Sequence, residues 1–196
     1  GSLVMNGSSI TGNDHDLTMY AGTDVTLDGD ITGITTITFY SSTTADRTYT
    51  STGGAFSVET LKTGYHTIFS RDSGSGTMAD PKLIYSVSNA AGGLQYIGRD
   101  PATLGMYYKL ANNIDAGETV IWNGGAGFDP IGDSSNMFKG SLKGQGHTIS
   151  GLYINRPSED RVGLFGETAM VSGLLNINIV GGDVTGREYV AGLVGY

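Results

Sequence analysis

The sequence predicts an all-β protein, a solenoid of short strands stacked coil on coil. Three observations carry this reading. The phrase VGLFG, Val162 to Gly166, returns as AGLVG at Ala191 to Gly195, with Gly163/Gly192, Leu164/Leu193 and Gly166/Gly195 each 29 residues apart. A period of about 20–29 residues built from short strands and Gly turns marks a solenoid, because each coil must bury its inward residues against the next. Glycine contributes 32 of the 196 residues, yet 38% of the chain is apolar and falls in short ordered runs, so the chain is not of low complexity. Those runs alternate apolar and polar residues over four to six positions, the period of a half-buried strand.

In chain order, LTMYA at 17–21 matches ITFYS at 37–41, with VTLDGDI at 25–31 between them and FSVETL (56–61) and HTIF (66–69) following. Nine of the residues from Ile31 to Thr52 are Thr, a type that favours the pleated surface. SNAAGGLQYIG departs from this style. Ser88 or Asn89 stands as an N-cap, Ala90, Leu94 and Ile97 keep helical spacing, and Gly98 ends the run, so a helix of two turns is expected near 88–98 despite Gly92-Gly93. Strands resume at 106–115, pass the Gly-rich loop WNGGAGFDPIGD (122–133) and continue through MFKGSLKGQGHTISGLYINR at 137–156. SGLYIN (150–155) is echoed by SGLLNIN (172–178), which predicts that Leu152 stacks on Leu174 or Leu175 and Leu164 on Leu193. Asn112, Asn113, Asn155, Asn176 and Asn178 are candidates for internal asparagine stacks. At ~4.8 Å per coil, seven or eight coils make a rod of roughly 35–40 Å.

Composition excludes several functions. A formal charge of −8 with a pI near 4.6 and only 11 Lys plus Arg leaves no basic face for nucleic acid. Apolar runs fall far short of a membrane span, which predicts no membrane insertion. The absence of cysteine removes disulfides and thiolate metal sites, and suits a cytosolic protein or an exported bacterial one equally. No secretory leader is visible; Gly1-Ser2 reads as a cloning scar, and the break inside a repeat at Gly195-Tyr196 reads as an internal fragment of a larger protein.

VGLFG and AGLVG resemble the Gly-Leu-x-Gly phrase of the GLUG repeat. YKLANNIDA (108–116), WNGGAGFDPIG (122–132) and FKGSLKGQGHTISGLYINRP (138–157) together resemble a recurring block of large, secreted, filamentous-haemagglutinin-like bacterial adhesins. The resemblance covers residues 82–196 closely and 17–42 loosely; residues 43–81 match no part of it, and only two GLUG phrases are present. It implies a right-handed parallel β-helix, a secreted or cell-surface location reached with an outer-membrane secretion partner, and adhesion to host cells, matrix, glycans or biofilm components. No catalytic set is shared by such proteins. The expected organisation is one continuous solenoid, with Thr/Gly-rich coils at 3–81 and GLUG-type coils at 82–196 carrying the short helical insertion.

Searches for chemistry find little. Glu159 and Glu188 precede the two GLUG phrases and would suit paired carboxylates of a sugar-cleaving β-helix, but they stand beside Arg161 and Arg187 as turn residues do. Asp14/Asp16 and Asp28/Asp30 lack the ligand run of a calcium loop, His15, His66 and His147 share no ligand spacing, and no Ser sits in a GxSxG setting. No catalytic residue, cofactor or metal is therefore expected. Trp122, the only Trp, is the leading binding candidate: in a flexible loop with Phe128 and Asp129, it has the chemistry to stack a sugar ring beside carboxylates. The competing expectation is an indole folded back to anchor its loop. The leading functional reading is a rigid stalk segment of a surface adhesin. A glycan- or matrix-binding module and a polysaccharide-degrading enzyme are its rivals.

Overall fold

The computed structural model describes residues 3–5 and 10–196, with side chains from Asp16 onward. Gly1-Ser2 and the side chains of Asp14 and His15 lie outside the described residues. Among the described residues, sixteen strands form parallel sheets. One sheet runs β1 (Leu3–Met5), β3 (Val25–Leu27), β5 (Arg47–Ser51), β7 (Thr67–Ser70). The largest runs β2 (Ile10–Ala21), β4 (Ile31–Ser41), β6 (Phe56–Thr63), β10 (Asn113–Asp115), β12 (Thr148–Ser150), β15 (Asn178–Val180). A third contains β8 (Lys82–Ile84), β9 (Tyr107–Leu110), β11 (Ser141–Lys143) and β14 (Gly173–Leu175), and β13 (Tyr153–Asn155) pairs with β16 (Asp183–Thr185). Apart from β8 and β9, which follow one another in the same sheet, successive strands go to different sheets, and the chain returns to each sheet one strand further on.

The expected 20-residue match is a true register: Leu17 lies opposite Ile37 and Tyr20 opposite Tyr40. It continues through Leu61, Ile114, Ile149 and Ile179, one apolar column through the six-stranded sheet. Alternation along each strand puts this column inward, where burial of aliphatic side chains is the main favourable term. Outside, the Tyr20 and Tyr40 rings stack at 5.0 Å. The interior divides into two clusters. An aromatic-rich one, with Phe39, Tyr49 and Phe69, ends at Tyr85; an aliphatic-rich one begins at Ile84 and reaches Phe165. The six-stranded sheet passes through both.

Three expectations need correction. The helix expected at 88–98 is a single 3-10 turn, Gln95–Gly98, followed by another at Thr103–Gly105. Gly92 adopts φ +82°, and a Cβ on Gly93 would meet the Ser88 carbonyl oxygen at 1.9 Å, so the chain doubles back here. Leu94 N–H then donates to Ser86 O, and the Ser88 hydroxyl bonds Phe69 O instead of capping a helix. Leu94 and Ile97 still point inward.

The echo of SGLYIN in SGLLNIN is not a coil repeat. Leu174 lies opposite Leu142, and Tyr153–Asn155 lies opposite Asp183–Thr185. Parallel partners here lie 30 residues apart, so an offset of 22 does not bring the two phrases into register. Asn112 and Asn113 bond to groups other than asparagine: Asn112 Nδ2 to Tyr85 O (2.9 Å), Asn113 Nδ2 to Thr60 Oγ1, and Thr148 N–H to Asn113 Oδ1 (2.9 Å).

The phrases VGLFG and AGLVG lie one over the other. Phe165 bridges Val194, Phe165 N–H donates to Leu193 O (2.8 Å), and Leu164 N–H donates to Gly192 O (3.2 Å). Leu164 is buried and Leu193 packs on the same cluster. Three of the four outer glycines leave no room for a side chain: a Cβ on Gly163, Gly166 or Gly195 would meet backbone atoms within 2.7 Å, whereas one on Gly192 would meet nothing within 4 Å.

Candidate functional site

The sheet that begins with β1 stops at β7, and the chain beyond it makes an excursion before the coils resume. Segments 86–99 and 116–129 project beside that last strand. Between them and the outer face of β5 and β7 lies an open cleft of about 930 Å³. Thr48, Thr67, Ile68 and Ser70 form its strand side, Asn89, Gln95 and Arg99 one wall, and Glu118, Ile121, Trp122 and Asn123 the other.

The Trp122 loop is a built structure. Gly117–Gly125 is 3-10 in character with a break at Trp122 (φ −70°, ψ 151°), after which Asn123 and Gly124 take left-handed conformations. This reversal is fastened by Gly127 N–H to Trp122 O (3.0 Å) and Asn123 Nδ2 to Gly127 O (2.7 Å). At Gly127, φ +81° and a Tyr153 oxygen 2.3 Å from any Cβ require glycine. The loop is thereby held, contrary to the flexibility expected of so many glycines. Its indole is half-buried, rests on the Phe128 ring (centroids 6.5 Å, planes 21° apart) and borders the cleft.

Phe128 itself is 0% exposed and belongs to the core, so its place in a ligand-binding trio is corrected: it supports Trp122 from behind. Asp129 is exposed at the cleft rim and ion-paired with Arg156 at 3.1 Å. Its backbone is clamped by Gln95, whose amide accepts from Asp129 N–H (2.8 Å) and donates to Asp129 O (2.9 Å). That pair of bonds crosses from one wall to the other and fixes their separation.

Glu118 is the residue that sequence reasoning missed. It is 5% exposed, accepts a hydrogen bond from Thr63 Oγ1 and lines the cleft. Burial pushes its carboxyl up to about 8, with the Thr63 bond opposing and the Asp115 and Asp46 charges reinforcing the rise. At neutral pH it is therefore a protonated acid able to donate. The available signal was a lone acid two residues before the apolar run Val120–Trp122, shortly after the strand Asn113–Asp115. Across the cleft, His66 holds φ +59° and faces Asp46 at 3.1 Å.

The remaining candidates resolve into structural roles. Asp16, Asp24 and Asp30 each accept a backbone N–H from the following coil, at Thr36, Thr48 and Ala55. Glu159 pairs with Arg156, Asp160 takes a two-pronged bond from Arg187, and Glu167 pairs with Arg161 at 2.9 Å. The Arg187 guanidinium holds the Asp160 carboxyl below its usual range. Among the described residues, no group of three or more His, Asp or Glu is arranged to hold a metal, and no helix is long and apolar enough to cross a membrane.

Two known proteins resemble this chain. It is 44% identical over 124 residues to Halomucin of Haloquadratum walsbyi, and 32% identical over 126 residues to a Gly-rich membrane protein of Evansella cellulosilytica. Each match covers 62% of this chain but only 1% and 14% of the respective relative. No family model and no solved structure matches it.

Proposed function

We propose that the chain is a stretch of right-handed parallel β-helix in a long secreted or cell-surface protein of the adhesin type, where it serves as a stiff stalk. The observation that carries this is the column Leu17–Ile37–Leu61–Ile114–Ile149–Ile179, which repeats across six parallel strands whose connections always leave and rejoin the same sheet. Parallel strands joined by crossovers take the right-handed path in about 98% of cases. Stacking in one direction gives length and rigidity with no chemistry required. The relatives, named Halomucin and a Gly-rich membrane protein and far longer than the match, support a surface setting. The GLUG phrases support the adhesin reading, with host, matrix or biofilm surfaces as the partners of the parent protein and an outer-membrane partner for its export.

Two measurements test it. Antibodies raised against the chain should label intact source cells and lose that signal when the cells are shaved with protease; label only after permeabilisation sinks the surface reading. Pulled end to end in a single-molecule instrument, the chain should resist and then release in coil-sized steps. Smooth extension without resistance would rule out a stalk.

A further inference from the structure

The cleft beside Trp122 has features that a stalk does not need. It holds an aromatic surface, amide side chains and a buried acid around one open volume, and its walls are fixed before any ligand arrives. We propose that it binds a short neutral oligosaccharide, with the Trp122 indole as stacking platform and Asn89, Asn123 and Glu118 as hydrogen-bonding partners for its hydroxyls.

A sugar ring presents C–H groups on its faces and hydroxyls at its edge, so its site needs a flat apolar surface flanked by donors and acceptors. Trp122, backed by Phe128 and extended by exposed Ile121, supplies the surface. Asn89 is exposed on the facing wall and has both amide functions to offer. Asn123 spends its Nδ2 on Gly127 O and keeps Oδ1 as an acceptor. Glu118, neutral below about pH 8, adds a donor where a carboxylate has only acceptors. The volume is at the upper end of the roughly 300–1,000 Å³ of small-molecule sites, room for more than one ring.

Charge selects against acidic ligands. Arg99 is the only Lys or Arg of the lining, His66 is occupied by Asp46, and Asp129 is paired to Arg156. A uronate or sulfated chain would find no cluster of cations. Preorganisation supports binding over mere roughness, because a fixed loop loses little entropy when a ligand settles.

Trp122 is the sole Trp, so its fluorescence reports on the cleft directly. The probes are linear neutral gluco-, manno- and galacto-oligosaccharides, titrated at pH 7 by fluorescence and calorimetry. The expected result is saturable binding with a shift in Trp122 emission, weakened at least about tenfold in Trp122→Ala, the loss typical of truncating a central aromatic anchor. Asn89→Ala, an exposed site on the other wall, should weaken binding several-fold with an unchanged melting temperature; it carries the test if Trp122→Ala fails to fold.

A pH series adds a readout that a packing role would not move. The groups facing Glu118 are Thr63 at the end of β6, Asp115 of β10 with its partner Lys62, and Asp46 and His66 from the adjoining turns. Wild-type binding should fall as pH rises through about 8, the value to which burial lifts Glu118, and Glu118→Gln should bind at pH 7 and lose that fall. No saturation at about 10 mM sugar, a concentration that would detect even millimolar affinity, overturns the proposal. So do binding of uronate or peptide probes with no neutral sugar bound, and wild-type affinity in folded Trp122→Ala and Asn89→Ala.

Discussion

The two halves of the molecule solve the same stacking problem differently. Before residue 71, strands β2, β4 and β6 run 12, 11 and 8 residues, parallel partners recur every 20–24 residues, and the interior sets Phe39, Tyr49 and Phe69 among seven aliphatic side chains. After residue 106, β10 to β16 are three residues each, coils recur at 30–35, and aliphatic side chains fill most of the core. Long strands satisfy their backbone in the ladder. Three-residue strands leave corners, and those corners are bonded by side chains such as Asn112, Asn113 and Thr119, the last donating to Ala116 O and accepting from Tyr153 N–H. Looser coils carry loops, and the loops carry the cleft. In this chain regularity supplies the parallel sheets, and departure from regularity supplies the candidate site.

The largest effect is expected where the halves join. Ile114 is fully buried in the strand that pairs β6 with β12, and Ile114→Ala should cost about 2–5 kcal/mol. In urea, Trp122 fluorescence, which reports the second half, and far-ultraviolet circular dichroism should shift together. A shift in fluorescence alone would show two independent units.

Next in size is the acid at the cleft. The folded chain holds the Glu118 proton up to about pH 8, whereas an unfolded carboxyl releases it near 4.5. Its stabilising contribution is complete below 4.5 and is lost as pH rises through about 8, since the unfolded state binds fewer protons across that window. The loss should amount to about a few kcal/mol, measured as the pH dependence of the urea midpoint, and Glu118→Gln should flatten it.

A paired substitution sharpens the comparison between the phrases VGLFG and AGLVG. A Cβ on Gly163 would meet Ala191 O at 2.7 Å, while Gly192, its counterpart one coil later, has open space. Gly163→Ala should cost about 1–3 kcal/mol, the range for overpacking, and Gly192→Ala close to nothing, read from thermal melts. Equal costs would mean that the two phrases do not stack as described. The smallest effect is expected at the partly exposed Asp160–Arg187 pair, where Arg187→Ala should leave the melt almost unmoved and high salt should erase the remaining difference.

Much of this was legible in the sequence, for identifiable reasons. Leu17/Ile37 and the repeated phrases VGLFG and AGLVG were readable because the chain returns to the same place with the same residues. SGLYIN and SGLLNIN misled because turn chemistry at different corners can look alike. The 88–98 segment has helical spacing of apolar residues, but that spacing cannot report the backbone approaches that force Gly92 and Gly93 into a reversal. At the site, Trp122 was visible as a rare residue in a Gly-rich loop. Phe128 and Glu118 were not assigned correctly, because their burial depends on coils distant in sequence: Glu118 is bonded by Thr63, 55 residues earlier.

The central claim is that both halves form one continuous stack, joined where β6 meets β10. Lys62 and Asp115 face each other across that seam, with a 3.8 Å ion pair and partial exposure on both sides. The chain has no cysteine, so Lys62→Cys with Asp115→Cys introduces the only pair of thiols. Neighbouring parallel strands lie about 4.8 Å apart, within the Cα separations that a disulfide spans. Mild oxidation of the double variant should give a rapid, quantitative intramolecular disulfide in the folded protein, seen as a mass loss of about two hydrogens and lost thiol reactivity. Thiols that stay free, or that link only between molecules, would contradict the continuous stack.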